Sequence, residues 1–264
     1  MNLARTIAAA ALAALSFAAH AVGNIADVAI FDRSTGQELP VYWHQGRAYV
    51  VGRPGNEYQV VVRNRRSEDV LAVVSVDGLN AMTGETANPS QSGYVISPWG
   101  RVDVRGWRKS MDEVAAFYFT MLGDSYAART DRPANVGVIG VALFHRRYVP
   151  PYTPGAAAPA PYEPEAKSRA ESSNEAQRPQ SSSSDSLARI APMPSAPLGT
   201  GHGRREESRV RWVEFERATE QPVETIAIYY DSYRNLVAMG VLQQPVSPRN
   251  PNPFPTSFAP DPWR

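Results

Sequence analysis

The chain reads as an all-β protein, an antiparallel β-sandwich of jelly-roll or immunoglobulin-like kind interrupted by a long disordered linker. Three observations predict this. Between residues 25 and 144, apolar residues recur mostly with period two in short runs broken by Gly, Pro, Asn and Asp, the pattern of strands joined by turns. Two runs, "VLAVVSV" (70–76) and "VGVIGVALF" (136–144), are apolar on both alternating faces, as central strands covered on both sides are. Helical pattern is scarce, limited to one or two turns in "SYAART" (125–130) and "SYRNLVAM" (232–239).

In chain order, strands are expected at 25–32, 39–44, 47–52, 57–64, 69–76, 93–97, 101–107, 113–121 and 135–145. Gln45-Gly46 and residues 65–68 supply hairpin turns. Gly137 and Gly140 weaken a strand and mark a bulge or the close approach of another backbone. Residues 22–148 thus form the main part of the sandwich. Residues 149–200 hold ten prolines, ten alanines and nine serines, too little apolar surface to offset chain ordering, and are expected to be a disordered linker. Order returns over 201–242, read as two strands at 208–217 and 223–230 around the turn 220–222. Two strands alone are unstable in water, so this hairpin is expected to complete the same domain. Residues 243–264 are a proline-rich tail, expected to be disordered.

The stretch "LGTGHGRRE" (198–206) poses a separate question. A phosphate loop needs its glycines after a strand and before a helix, where backbone amides face the anion. These glycines follow the linker and precede a strand, so they read as a hinge, and Arg204-Arg205 beside Glu206-Glu207 read as a solvated cluster or local ion pairs.

Residues 1–21 carry Arg5, an apolar run from Ile7 to Ala18, and small residues at Ala19 and Ala21, the signature of a cleavable secretory signal. The chain is therefore expected to be exported to the periplasm or extracellular space, with no integral membrane segment after cleavage. Cysteine is absent, so stability must come from packing rather than disulfides. Against 27 basic and 26 acidic residues, losing Arg5 leaves no net charge, which argues against nucleic acid as a partner. Almost every cation is arginine, with lysine only at Lys109 and Lys167, which suits fixed hydrogen-bonded pairs.

Three regions offer candidate site residues. Trp99 and Trp107 interleave with Arg101 and Arg108 in a ribbon fit for stacking a sugar, or else its arginines are one strand's wet face. Asp77, Asn80 and Glu85 follow a central strand, where oxygen ligands for calcium or plain turn chemistry are the alternatives. Asp124, Tyr126 and Arg129 crowd a polar crossing, either as a site or as an ion pair fixing the loop. Among the histidines beyond the signal, His44, His145 and His202 lack zinc-ligand spacing, and no Gly-x-Ser-x-Gly elbow occurs. No metal, cofactor or catalytic residue is therefore expected.

The runs "SVDGLNAMTGETA", "GYVISPWG", "GWRKSMDEVAAFYFT", "SYAARTDRPANVGVIGVALF" and "GHGRREESRVRWVEFERA" together resemble a family of uncharacterised exported proteobacterial proteins. The resemblance implies export and one recurring unit interrupted by the linker; it implies no activity. The expected function is a non-catalytic envelope protein that binds a protein partner or glycan. The alternatives are a polysaccharide hydrolase using carboxylates among Asp77, Glu85, Asp103 and Asp124, with paired acids about 5–10 Å apart, and a structural envelope subunit. Oligomeric state is left open.

Overall fold

The computed structural model describes residues 21–148 and 196–243. The expected signal peptide up to residue 20, the linker up to residue 195 and the tail from residue 244 lie outside the described residues. In chain order the strands are β1 (Ala26–Asp32), β2 (Gln37–Glu38), β3 (Tyr42–His44), β4 (Arg47–Val51), β5 (Glu57–Asn64), β6 (Val70–Val76), β7 (Leu79–Asn80), β8 (Tyr94–Ile96), β9 (Arg101–Val104), β10 (Gly106–Arg108), β11 (Glu113–Met121), β12 (Val138–His145), β13 (Leu198–Glu207) and β14 (Glu224–Asp231). Two short helices, α1 (Tyr126–Arg129) and α2 (Tyr233–Ala238), stand where the sequence placed helical turns. Ser125 and Ser232 cap their N-termini by accepting from Ala128 N and Asn235 N.

The strands form two sheets, as the alternating pattern requires. The first runs β10–β11–β5–β1–β2, with β13 along β11 and β9 along β5; the second runs β3–β4–β14–β12–β6–β7, with β8 along β6. Pairing is antiparallel except between β4 and β14, which are parallel. The inner faces meet in one core, where Val28, Ile30, Val60, Val62, Phe117 and Phe119 of the first sheet oppose Val50, Val74, Val76, Val141, Leu143 and Ile228 of the second. Tyr58 stacks on Phe119 with ring centroids 4.3 Å apart.

The two doubly apolar runs are central strands, paired with each other from Ile139–Val76 to His145–Val70. Their second face forms a separate apolar cluster of Leu71, Val73, Ala142 and Phe144, with Val95 and Phe215 packed against it. On the outer face of the first sheet, arginines meet acids in fixed pairs. Arg33 joins Glu206 at 2.8 Å, Arg204 joins Glu57 at 2.9 Å, and Arg101 joins Asp103 at 2.7 Å. Beside Arg204, the Glu57 carboxyl is held below the ordinary carboxylate range. The charge cluster after the glycines is thus built of ion pairs.

The returning block differs from the sequence reading. Its two strands are not a hairpin: β13 joins the first sheet through β11, and β14 enters the second between β4 and β12. The first strand lies at 198–207 rather than 208–217, so the glycine stretch is a strand, not a hinge, and begins inside the last residues of the expected linker. Residues 208–217 instead form an irregular strap across the outer face of the second sheet, bridged at Arg217 to Arg146. Phe215 anchors it to the apolar cluster there. The alternation of charges and aromatics in "RVRWVEFER" resembles a strand, but it serves a segment with one docked side and one wet side.

The glycines of β13 permit close approach. A Cβ at Gly199 would lie 2.5 Å from Ser125 Cβ and 2.8 Å from Val136 Cγ1, and one at Gly201 would lie 2.1 Å from the Tyr118 ring. Ser125 is fully buried and caps α1, so it has no room to yield, whereas Tyr118 is only half-buried. Gly199→Ala is expected to lower stability by about 1–3 kcal/mol, the usual cost of overpacking, and Gly201→Ala by less. Chemical denaturation midpoints of the two variants check the order, and an equal shift would mean that the Ser125 contact relaxes freely.

Candidate functional site

The three sequence-predicted regions go to three different fates. Asp77 follows β6 at φ +53°, a left-handed conformation that Asp tolerates in turns. Its carboxylate is fully buried. Oδ2 accepts from Thr200 N at 2.7 Å, and Oδ1 accepts from Gly137 N at 3.0 Å and from the Tyr230 hydroxyl. Thr200 Oγ1 lies 2.7 Å from Tyr230 Oη and 2.6 Å from Tyr58 Oη. Because Tyr230 gives its only proton to Asp77, Thr200 donates to Tyr230 and Tyr58 donates to Thr200. One directed chain thus runs from Tyr58 in the first sheet through Thr200 to Tyr230 and Asp77 in the second. Desolvation raises the Asp77 pKa to about 6, against the pull of these hydrogen bonds. Burial, then the nearby Asp77 charge, pushes both tyrosine hydroxyls well up.

Asn80 is equally buried and organises the following loop. Its Oδ1 accepts from Met82 N at 2.7 Å and Thr83 N at 3.3 Å, while Nδ2 donates to Gln91 Oε1 at 3.1 Å and Ser92 O at 3.2 Å. Asp77 and Asn80 therefore spend their oxygens on backbone amides, the turn alternative, rather than converging on a cation. Glu85 is exposed, accepting from Gln91 Nε2 at 3.3 Å.

The tryptophan and arginine ribbon separates. Trp107 is a core residue, 2% exposed, with Nε1 donating to Gly201 O at 3.2 Å and its ring edge-on to Phe117 at 5.0 Å. Trp99 is 71% exposed in a turn at φ +57°. Arg101 is clamped by Asp103. Tyr126 packs on Trp107 and His202, at 4.9 and 5.3 Å between ring centroids. Asp124 and Arg129 are exposed and do not pair with each other among the described ion pairs. None of Asp77, Glu85, Asp103 and Asp124 lines the groove beside the 208–217 strap.

Arg108 alone of these residues lines that groove, of about 1660 Å³, on the outer side of the second sheet. One wall is the loop 88–93, riveted by Asn80 and Gln91, with Tyr94 and Val95 of β8; the other is the strap over 209–221. Three arginine and aromatic pairs fix the strap. Arg217 lies 4.2 Å over the Phe144 ring and donates to Pro89 O at 2.8 Å and Gln91 O at 2.6 Å. Arg108 lies 5.8 Å over Tyr94 and donates to Ser208 O at 2.8 Å and Ser110 O at 3.0 Å. Arg146 lies 5.2 Å over Phe215 and meets Asp69 at 3.4 Å. Trp212, on the strap, is 76% exposed beside this arrangement. Sequence reading missed Trp212 and Arg217 because their segment read as an ordinary strand, where the density of arginine and aromatics in "RVRWVEFER" was the available signal, and missed Arg146 because it falls just past the strand expected at 135–145.

Comparison with protein-family models, curated proteins and solved structures gives no match.

Proposed function

We propose that the protein is an exported, non-catalytic envelope component that binds an extended glycan or peptide chain in the groove under the 209–221 strap. The observation that carries this is the pairing of an open groove with a nearly free indole. Exposing Trp212 to water forgoes apolar burial, on the order of 25 cal/mol per Å², and an amphipathic ring at a concave, polar-rimmed surface suits a ligand's flat face. The rigid walls supported by Asn80, Gln91, Arg108 and Arg217 keep that surface preformed, which limits the ordering cost of binding.

The test is a binding screen of the full chain against envelope fractions and a glycan panel, repeated with Trp212→Ala and Trp99→Ala. Trp212→Ala is expected to weaken binding roughly tenfold or more, as loss of an aromatic anchor does, with the unfolding midpoint unchanged, and Trp99→Ala to leave it intact. The opposite pattern would return the function to the turn carrying Trp99 and Arg101.

A further inference from the structure

We infer that the groove selects a carboxylate-bearing polysaccharide, a chain of uronic-acid units. This rests on the binding reading above and names the chemistry of its ligand. The argument begins with charge that the protein does not itself answer. Of the arginines along the groove, Arg146, Arg147 and Arg209 face Asp69, Glu216 and Glu207. Arg108 and Arg217 have no carboxylate among the described ion pairs. Each is fixed instead by backbone carbonyls and an aromatic face. Carbonyl dipoles orient a guanidinium without cancelling its charge. Burial lowers the pKa of Arg217, the mark of a cation short of hydration. Arg211 and Lys109 add exposed cations that also lack a carboxylate among those pairs; the exposed Glu214 and Glu220 of the same lining lack a cation there, so four unpaired cations outnumber two unpaired acids and the groove stays positive.

The rest of the surface favours a sugar chain over an acidic peptide. The wall opposite the strap carries the Asn88 amide and the Ser90 and Ser92 hydroxyls, donors and acceptors that sugar hydroxyls use, while the Gln91 amide is spent within the loop. Leu71, Val95 and Phe215 of the groove lining are engaged in the apolar cluster beneath the strap, which leaves Met111 and Val213 as its exposed large aliphatic side chains, too few for the alternate pockets that hold an extended peptide. Trp212 supplies a flat face for a pyranose ring, and the unpaired cations supply partners for ring carboxylates.

The experiment is equilibrium binding of the full chain to polygalacturonate, dextran and poly-L-glutamate, at about 50 and about 300 mM salt, a range over which screening shortens markedly. Polygalacturonate is expected to bind most tightly and to weaken roughly tenfold or more at the higher salt. The double variant Lys109→Glu/Arg211→Glu, whose side chains are exposed, should weaken it at least as much while leaving the unfolding midpoint unchanged. Dextran binding equally well through Trp212 would keep the groove reading and overturn this inference. Preference for poly-L-glutamate would overturn it in favour of an acidic protein partner. Polygalacturonate binding indifferent to the double variant and to Trp212→Ala, or no binding by any polymer, would overturn both.

Discussion

A fragment ending at Tyr148 is expected not to fold. It would keep β1 to β12 yet lack β14, which supplies the hydrogen-bonding partner of both β4 and β12 in the middle of the second sheet. Ile226, Ile228 and Tyr230, all buried, would leave the core, and so would Leu198. Asp77 and Tyr58 would remain inside with their partners Thr200 and Tyr230 gone, and unsatisfied buried polar groups cost about 1–3 kcal/mol each, more when charged. Together these losses exceed the roughly 5–15 kcal/mol by which domains are stable. The measurement is far-ultraviolet circular dichroism with denaturant titration of the fragment, alone and with residues 196–243 added as a separate chain. A cooperative transition in the fragment alone would show that two incomplete sheets, one without β13 and one without β14, suffice; recovery on adding the second piece is the expected result.

Asp77→Ala is expected to be the most damaging single substitution in the buried network. It strips the acceptor from Thr200 N, Gly137 N and the Tyr230 hydroxyl at once, and it places alanine at φ +53°. Unpaired donors and backbone strain add to roughly 4–7 kcal/mol. Asp77→Asn keeps the shape and the tolerance of positive φ, and it removes the titration. For the native residue the sign is set by the direction of its shift. A carboxyl whose folded pKa is about 6, against an ordinary value of 3.8, holds its proton in the native state at pH values where the unfolded state has lost it. Its contribution to stability is therefore greatest below the unfolded value and declines as pH rises through about 6, by on the order of 3 kcal/mol in total. Subtracting the Asp77→Asn unfolding curve from the native one between about pH 4 and 7.5 isolates this slope from the other carboxylates. A difference that does not change across that interval would mean the buried carboxylate titrates normally.

Much of the architecture could be read from the chain because period-two apolar patterns act locally. The alternation in "YQVVVRN" is β5 and that in "EVAAFYFT" is β11, with their boundaries nearly as expected. The doubly apolar 70–76 and 138–145 runs are buried on both faces, as strands beneath two layers must be. What the pattern does not carry is which strand goes to which sheet. β13 and β14 look like neighbours in sequence, but Thr200 faces Tyr58 and Asp77, and Ile228 lies beside Ala48, contacts set by residues more than a hundred positions away. Glycine spacing misled for a related reason. Gly199 and Gly201 signal flexibility when read alone, and tight packing only once Ser125 and Tyr118 are seen against them. At the candidate site, Trp107 was legible as an aromatic but not as a core one, since its burial depends on Phe117, Tyr126 and the β13 backbone. Asp77 stood out in the sequence for its place after a central strand; that its partners are a returning threonine and tyrosine is again a long-range fact.

The parallel pairing of β4 with β14 also sets a timetable. A ribosome delivers β4 and β12 well before β14, and at about 5–20 residues per second the stretch from His145 to Asp231 takes roughly 4–17 s to make. During that interval β4 and β12 cannot be joined, and the apolar residues that β14 pairs, Val50 on one strand and Leu143 on the other, stay without that partner. Unpaired edges of this kind recruit other chains. The nascent chain thus passes through a period of seconds in which these apolar strands are made but unjoined, and the last strand to arrive is the one that unites them.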